Sequence, residues 1–191
     1  MAKEQPHNYT STDPESQRVR KAYEQLRQQQ SNPGGAAPLY RDVVIIVDDD
    51  TMTRRILKQA VSQVAPGVDL LEAANGSVAL AMVAQTRQQR GKDPVLVVVD
   101  LVMPEMDGWE FIKALQRNHK DTGSAPIPLI VFSGSSGSKG VIFKSDINRM
   151  KHNYGPLIAI AKSETDADTA YDGSGLNSFM KFAAMLLKRV V

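Results

Sequence analysis

The chain of 191 residues contains no cysteine. A disulfide framework and a thiolate metal site are therefore both excluded, and the absence is compatible with the cytosol. It also lacks an apolar run approaching the roughly 18 residues of a membrane-spanning helix, and its N-terminus is polar. No membrane association is expected, and a cytoplasmic soluble protein is. A charge of one sign is missing too: 23 Lys and Arg stand against 21 Asp and Glu, a formal net charge of +2. That is too small to argue for nucleic acid or an acidic substrate. The composition itself is that of an ordinary globular protein, 42% hydrophobic and 23% charged, with length enough for one well-buried domain and residues to spare.

Residues 1–40 differ in character from the rest of the chain. The first residues are polar and expected to be disordered. Asp13-Pro14 offers an N-cap and a first-turn proline, and Val19, Ala22, Tyr23 and Leu26 form a narrow apolar stripe at helical spacing. The stretch from Gln28 to Pro38, rich in Gln, Gly, Ala and Pro, reads as a flexible linker. The expected organisation is an extension over 1–40 and one domain over 41–191.

From Leu39 the pattern alternates between strands and helices. Val43–Val47 is a short, continuous β-branched run of the kind buried on both faces of a parallel sheet. Thr51 to Val64 carries Ile56, Leu57, Ala60, Val61 and Val64 at helical spacing, and Pro66-Gly67 stops it. A strand over Val68–Ala73 precedes a turn at Asn75-Gly76 and a helix to about Gln89. The stretch Pro94–Asp100 is a third strand, Asp107–Asn118 a helix, Pro128–Phe132 and Leu157–Ala161 two more strands, and Leu176–Val190 a last helix. These βα units imply an α/β fold with one doubly wound, five-stranded parallel sheet.

The strand ends carry polar residues that a core would not tolerate: Asp48 and Asp49, Asp100, Ser133 and Lys162. In a doubly wound sheet these ends fall along one edge, where ligands bind. Taken singly, each has a plain structural reading, since Asp48–Asp50 could cap a helix and Lys162 could extend to solvent. Taken together they favour a site. Carboxylates placed side by side repel, and a hard divalent cation such as Mg2+ or Mn2+ relieves this. A lysine and a hydroxyl supply charge neutralisation and a hydrogen bond to a phosphoryl group, for which aspartate is a suitable nucleophile.

Five stretches resemble the receiver domain of two-component response regulators: Val-Ile-Ile-Val-Asp48-Asp49-Asp, Glu72-Ala-Ala-Asn-Gly76, Val-Val-Asp100-Leu-Val-Met-Pro104-Glu-Met-Asp-Gly108, Ile130-Val-Phe-Ser133-Gly and Ile160-Ala-Lys162. The resemblance covers roughly 41–190 and implies a flavodoxin-like sheet of strand order 2-1-3-4-5. It implies that Asp100 is the phosphoacceptor, with Asp49 a direct metal ligand and Asp48 acting mainly through a metal-bound water. The backbone carbonyl of Val102 would complete the protein's share of the metal shell. Ser133 and Lys162 would engage the phosphoryl group. The implied donor is a phosphohistidine on a sensor histidine kinase or a histidine phosphotransfer protein. The implied output is an unknown downstream protein, reached through the face of the fourth helix, fifth strand and fifth helix. No enzymatic activity is implied beyond the domain's own phosphorylation and dephosphorylation.

Two residues depart from the family pattern. Lys162 is followed by Ser163 where receivers usually carry proline, which puts the approach of the lysine in question. Ala159 stands where many receivers carry a switching aromatic residue. Residues 134–156 and 163–174 read as insertions beside the signalling face. Neither 1–40 nor the end of the chain looks like a DNA-binding or enzymatic output domain, so a stand-alone receiver is expected. The alternatives are a degenerate receiver that binds a partner without phosphorylation, and a phosphorelay intermediate. A hydrolase of the aspartyl-phosphate type is disfavoured, because it needs an acid two residues after the nucleophile, where Val102 stands.

Overall fold

The computed structural model describes residues 41–134, 140–163 and 171–188, with 140–144 described through their backbone alone. The extension over 1–40 lies outside the described residues, as do Asp166, Asp168, Val190 and most of the Gly/Ser run after Ser133. The elements are β1 (Val43–Val47), α1 (Thr51–Val64), β2 (Asp69–Ala73), α2 (Gly76–Arg90), β3 (Leu96–Val99) and α3 (Gly108–Thr122). They continue with β4 (Leu129–Ser133), α4 (Gly140–Tyr154), β5 (Leu157–Ala161), β6 (Gly173–Ser174) and α5 (Gly175–Leu187). The sheet is parallel throughout, in the order β2-β1-β3-β4-β5-β6.

Strand alternation sorts the core into two layers. Val43, Ile45, Val47, Val97, Val99, Leu129 and Val131 pack against Ala79 and Val83 of α2, Phe111, Ile112 and Leu115 of α3, and Ile147 and Tyr154 of α4. Val44, Ile46, Leu96, Val98, Ile130, Phe132, Ile158 and Ile160 pack against Leu57, Ala60 and Val61 of α1, and Phe179, Phe182, Ala183, Leu186 and Leu187 of α5. This is the doubly wound arrangement expected from the sequence. Among the described residues no helix is long and apolar enough to cross a membrane.

The structure departs from the expected elements in three places. First, α3 continues four residues past Asn118 to Thr122, because no breaker comes before the left-handed Gly123 (φ 65°). Second, the stretch 134–156 carries a helix that the sequence pattern does not announce. This is α4, whose buried Ile147 and Tyr154 face the core with Met150 packed beside them. Third, the sheet has six strands rather than five. Asp172 donates its amide to Ala159 O and accepts the Ala159 amide on Oδ2, both at 2.7 Å, and Gly173–Ser174 continue the pairing alongside Ile160–Ala161. The other oxygen of Asp172 is 2.6 Å from Lys151 Nζ on α4, and the side chains are 5% and 11% exposed. The end of what reads as an extended acidic loop, Asp172 to Ser174, therefore covers the outer edge of β5 and ties α4 to it. Capping that edge leaves fewer unpaired backbone groups open to another chain.

A buried polar network locks the far end of α3. The Nε2 of His119 accepts the Ile127 amide at 3.2 Å and faces Tyr154 Oη at 3.1 Å, and Nδ1 lies 3.1 Å from Ser124 Oγ. A neutral ring protonated on Nδ1 satisfies all three contacts. Burial pushes the His119 pKa below its ordinary value, against the nearby charge of Asp93, while Arg87 adds to the lowering. Below the ordinary imidazole value of about 6.5 the unfolded chain takes up a proton that folded His119 resists. The network's stability is thus present above that value and lost as pH falls through the depressed one. Urea midpoints measured from about pH 7.5 to pH 5 should fall more steeply in wild type than in His119→Gln. Parallel pH profiles would remove His119 from this role.

Candidate functional site

Four strand ends build the site. Asp48 follows β1 with its amide bonded to Ala73 O at 3.1 Å, and Asp100 follows β3 with its amide on Val47 O at 2.9 Å. Ser133 closes β4, and Lys162 follows β5 with its amide on Ser133 O at 2.9 Å. Backbone pairing thus fixes each side chain's origin before any side-chain contact is made. The third aspartate of the run plays a different part. Asp50 is the N-cap of α1 and accepts the amides of Met52 and Thr53 at 3.3 and 2.8 Å.

The side chains converge on Asp100. Ser133 Oγ, fully buried, donates to Asp100 Oδ1 at 2.7 Å, and the Val102 amide donates to the same oxygen at 3.2 Å. Lys162 Nζ donates to Asp100 Oδ2 at 2.5 Å and forms an ion pair with Asp48 Oδ2 at 2.9 Å. The second contact lacks hydrogen-bond alignment, so that oxygen of Asp48 is buried without a hydrogen-bond donor. Carboxylate oxygens of Asp48, Asp49 and Asp100 lie within 4.8 Å of one another. Asp48 and Asp100 are 1% and 6% exposed, whereas Asp49 opens to solvent.

Burial pushes the Asp48 pKa up; Lys162 opposes the shift and the charge of Asp100 adds to it. For Lys162, burial works downward, but the contacts with Asp100 and Asp48 outweigh it and hold the ammonium protonated. Three carboxylates gather here and one lysine contacts two of them, leaving the cluster with negative charge in excess. An all-oxygen donor set with an exposed member and an under-satisfied buried oxygen fits a hard divalent cation such as Mg2+ or Mn2+.

All six residues singled out in the sequence meet here: Asp48, Asp49, Asp100, Val102, Ser133 and Lys162. Val102 is present through its amide, while its side chain is 64% exposed. Ser163 in place of proline does not keep Lys162 from the site, and among the described residues no peptide bond is cis. Ala159 is buried, with both its backbone groups taken by Asp172.

The residues that hold the loops fall in the turn and motif stretches quoted from the sequence, Arg54 excepted, but their bracing contacts were not expected. Asn75, the N-cap of α2, donates from Nδ2 to Glu105 Oε2 at 2.6 Å, and Gly76 N bonds Met106 O at 2.9 Å. These contacts fix the turn after Asp100, where Glu105 takes a left-handed backbone (φ 64°). Arg54 of α1 reaches back to the loop after β1. Gly108 sits against the strand end itself, since a Cβ there would lie 2.1 Å from Asp100 O.

A sheet that gathers an acidic cluster, a hydroxyl and a lysine at its carboxyl edge defines an α/β domain of the receiver class. The sequence model described as response regulator receiver domain matches residues 44–151. The chain belongs to this family, and so to two-component signalling. A protein-glutamate methylesterase/protein-glutamine glutaminase of Chromobacterium violaceum is 33% identical over 119 residues, 62% of this chain and 29% of that protein. The probable transcriptional regulator ycf27 of Porphyridium aerugineum is 29% identical over 98 residues, 51% of this chain and 35% of that protein. The chain therefore spans about a third or less of the length of these curated relatives. A receiver is not in itself an enzyme family, and the stretch shared with the methylesterase is a minor part of it. Among solved structures, the phosphorylated cyanobacterial phytochrome response regulator RcpA aligns with TM-score 0.54 at 19% identity, covering 78% of this chain and 92% of that one. The Mn(2+)-bound form of response regulator Rcp1 aligns with TM-score 0.51 at 17% identity, covering 78% and 93%. These two likenesses show the shared fold.

Gly108→Ala should cost about 1–3 kcal/mol in urea unfolding, because its methyl group must displace the backbone at Asp100. An unchanged midpoint would mean that the turn yields without strain.

Proposed function

We propose that the domain accepts a phosphoryl group on Asp100 from a phosphohistidine of a sensor histidine kinase or histidine phosphotransfer protein. Modification then switches a protein-binding surface toward a downstream protein. The observation that carries this reading is the convergence on Asp100, with Ser133 on one oxygen, Lys162 on the other, and Asp48 and Asp49 alongside.

In the transfer, an Asp100 carboxylate oxygen bonds phosphorus as the P–N bond of the donor breaks, and that electron pair leaves with the imidazole. Lys162 and Ser133 are placed to pass from the carboxylate to the incoming phosphoryl oxygens. Receivers take Mg2+ or Mn2+ at an acidic pocket, and the cation supplies neutralisation of phosphoryl charge when bound. The open position of Asp49 supports a direct ligand role, and the burial of Asp48 beside Lys162 supports one through water. The Val102 carbonyl would complete the shell. Transfer onward to a second histidine protein, as in a phosphorelay, uses the same chemistry in reverse. Lys162 in contact with both Asp100 and Asp48 supports phosphorylation over a phosphorylation-independent binding module.

Acetyl phosphate with Mg2+ should add one phosphoryl group to wild type and none to Asp100→Asn, read by intact mass. Modification that persists in the variant, or that never appears on folded wild type with metal, overturns the assignment.

A further inference from the structure

The loop that carries Asp48 and Asp49 is held by a side chain from the helix it leads into. Arg54 Nη1 donates to Asp48 O at 2.7 Å and to Asp49 O at 3.2 Å, and Nη2 donates to Thr51 Oγ1 at 3.0 Å. Its Nε lies 3.5 Å from Glu72 Oε2 at the end of β2, and that carboxylate is also held by Lys58 at 2.6 Å. The Arg54 side chain is only 14% exposed. One planar group therefore joins two successive carbonyls of the β1–α1 loop to α1 and to the neighbouring strand. Fixing two successive carbonyls fixes the peptide planes between them, and with those the directions in which the aspartate side chains leave the backbone.

We infer that Arg54 is a positioning residue for the acidic site, holding the carboxylates of Asp48 and Asp49 convergent on Asp100 so that a divalent cation meets a formed site. The inference rests on the proposed cation-dependent phosphoryl transfer and adds to it a residue that touches neither cation nor phosphoryl group. It acts through backbone carbonyls. A lysine keeps the charge but cannot span the same set of acceptors, because the guanidinium fork presents several donors in one plane.

Two effects of Arg54 on cation binding have opposite signs, and this separates them. Its positive charge near the cluster repels a cation, partly offset by Glu72. Its hold on the loop favours the cation by removing disorder from the ligands. If charge were its whole influence, Arg54→Ala would bind Mg2+ more tightly. Positioning requires the reverse.

The test is calorimetric titration of Mg2+ into wild type, Arg54→Lys and Arg54→Ala, with thermal melts of the metal-free proteins as a check on folding. Losing the two carbonyl contacts should weaken Mg2+ binding by about tenfold in Arg54→Ala. Arg54→Lys should weaken it too, despite its unchanged charge. Labelling rates with acetyl phosphate should recover toward wild type at saturating Mg2+, which a general loss of structure would not allow. If both variants bind Mg2+ as tightly as wild type or more tightly, the positioning role is overturned while the phosphoryl-transfer reading stands. If wild type itself takes up no Mg2+, that reading falls and the inference with it.

Discussion

The ammonium of Lys162 sits between two buried carboxylates, and the carboxyl edge of the sheet depends on that contact. Asp100 and Asp48 lie at the ends of β3 and β1 with almost no exposure, and each faces the other's charge. Without a cation between them, two carboxylates cannot both stay ionised cheaply in such a place. Lys162 reaches both from the end of β5, across β4. It therefore stabilises the metal-free state while leaving the exposed Asp49 and negative charge in excess. In the proposed transfer, the same lysine that offsets the repulsion of the carboxylates passes to the phosphoryl group.

The periphery is organised to keep those strand ends in register. Asp172 pairs with the edge of β5 and with Lys151 on α4, so the strand that delivers Lys162 is braced along its outer side. Arg54 braces the loop after β1, and the Asn75–Glu105 contact braces the turn after β3. Each uses a charged or polar side chain against backbone or a neighbouring loop. The acidic cluster and its lysine then rest on three strand ends with separate restraints, not on one flexible turn.

The residues that converge on Asp100 were legible because each follows a buried β-branched run, and a doubly wound sheet brings such ends to one edge. Topology did the rest. Features that depend on contacts with no local signature were not legible. Helix α4 follows a Gly/Ser run, and its stripe of Ile147, Met150 and Tyr154 is too sparse to announce a helix. Strand β6 is a Gly-Ser pair with no strand propensity, created by the pairing of Asp172 with Ala159. Arg54 has no local signature that marks it among the charged residues of its helix, and only the fold shows it turned back onto carbonyls five and six residues earlier. Ser163 shows the opposite failure. It broke the family pattern, yet Lys162 reaches Asp100, because its position is set by the hydrogen bond its backbone amide donates to Ser133 O.

If Lys162 offsets the repulsion of Asp48 and Asp100 in the metal-free protein, thermal melts of Lys162→Met with and without Mg2+ will register its loss. Removing the ammonium should destabilise the metal-free domain by about 1–3 kcal/mol, allowing for the partial exposure of the lysine. Mg2+ should then bind more tightly than in wild type and restore a larger share of stability, because the ion replaces the missing positive charge. A variant that melts with wild type in the absence of metal, and gains no more from Mg2+ than wild type does, would show that the ammonium does not hold the empty cluster together.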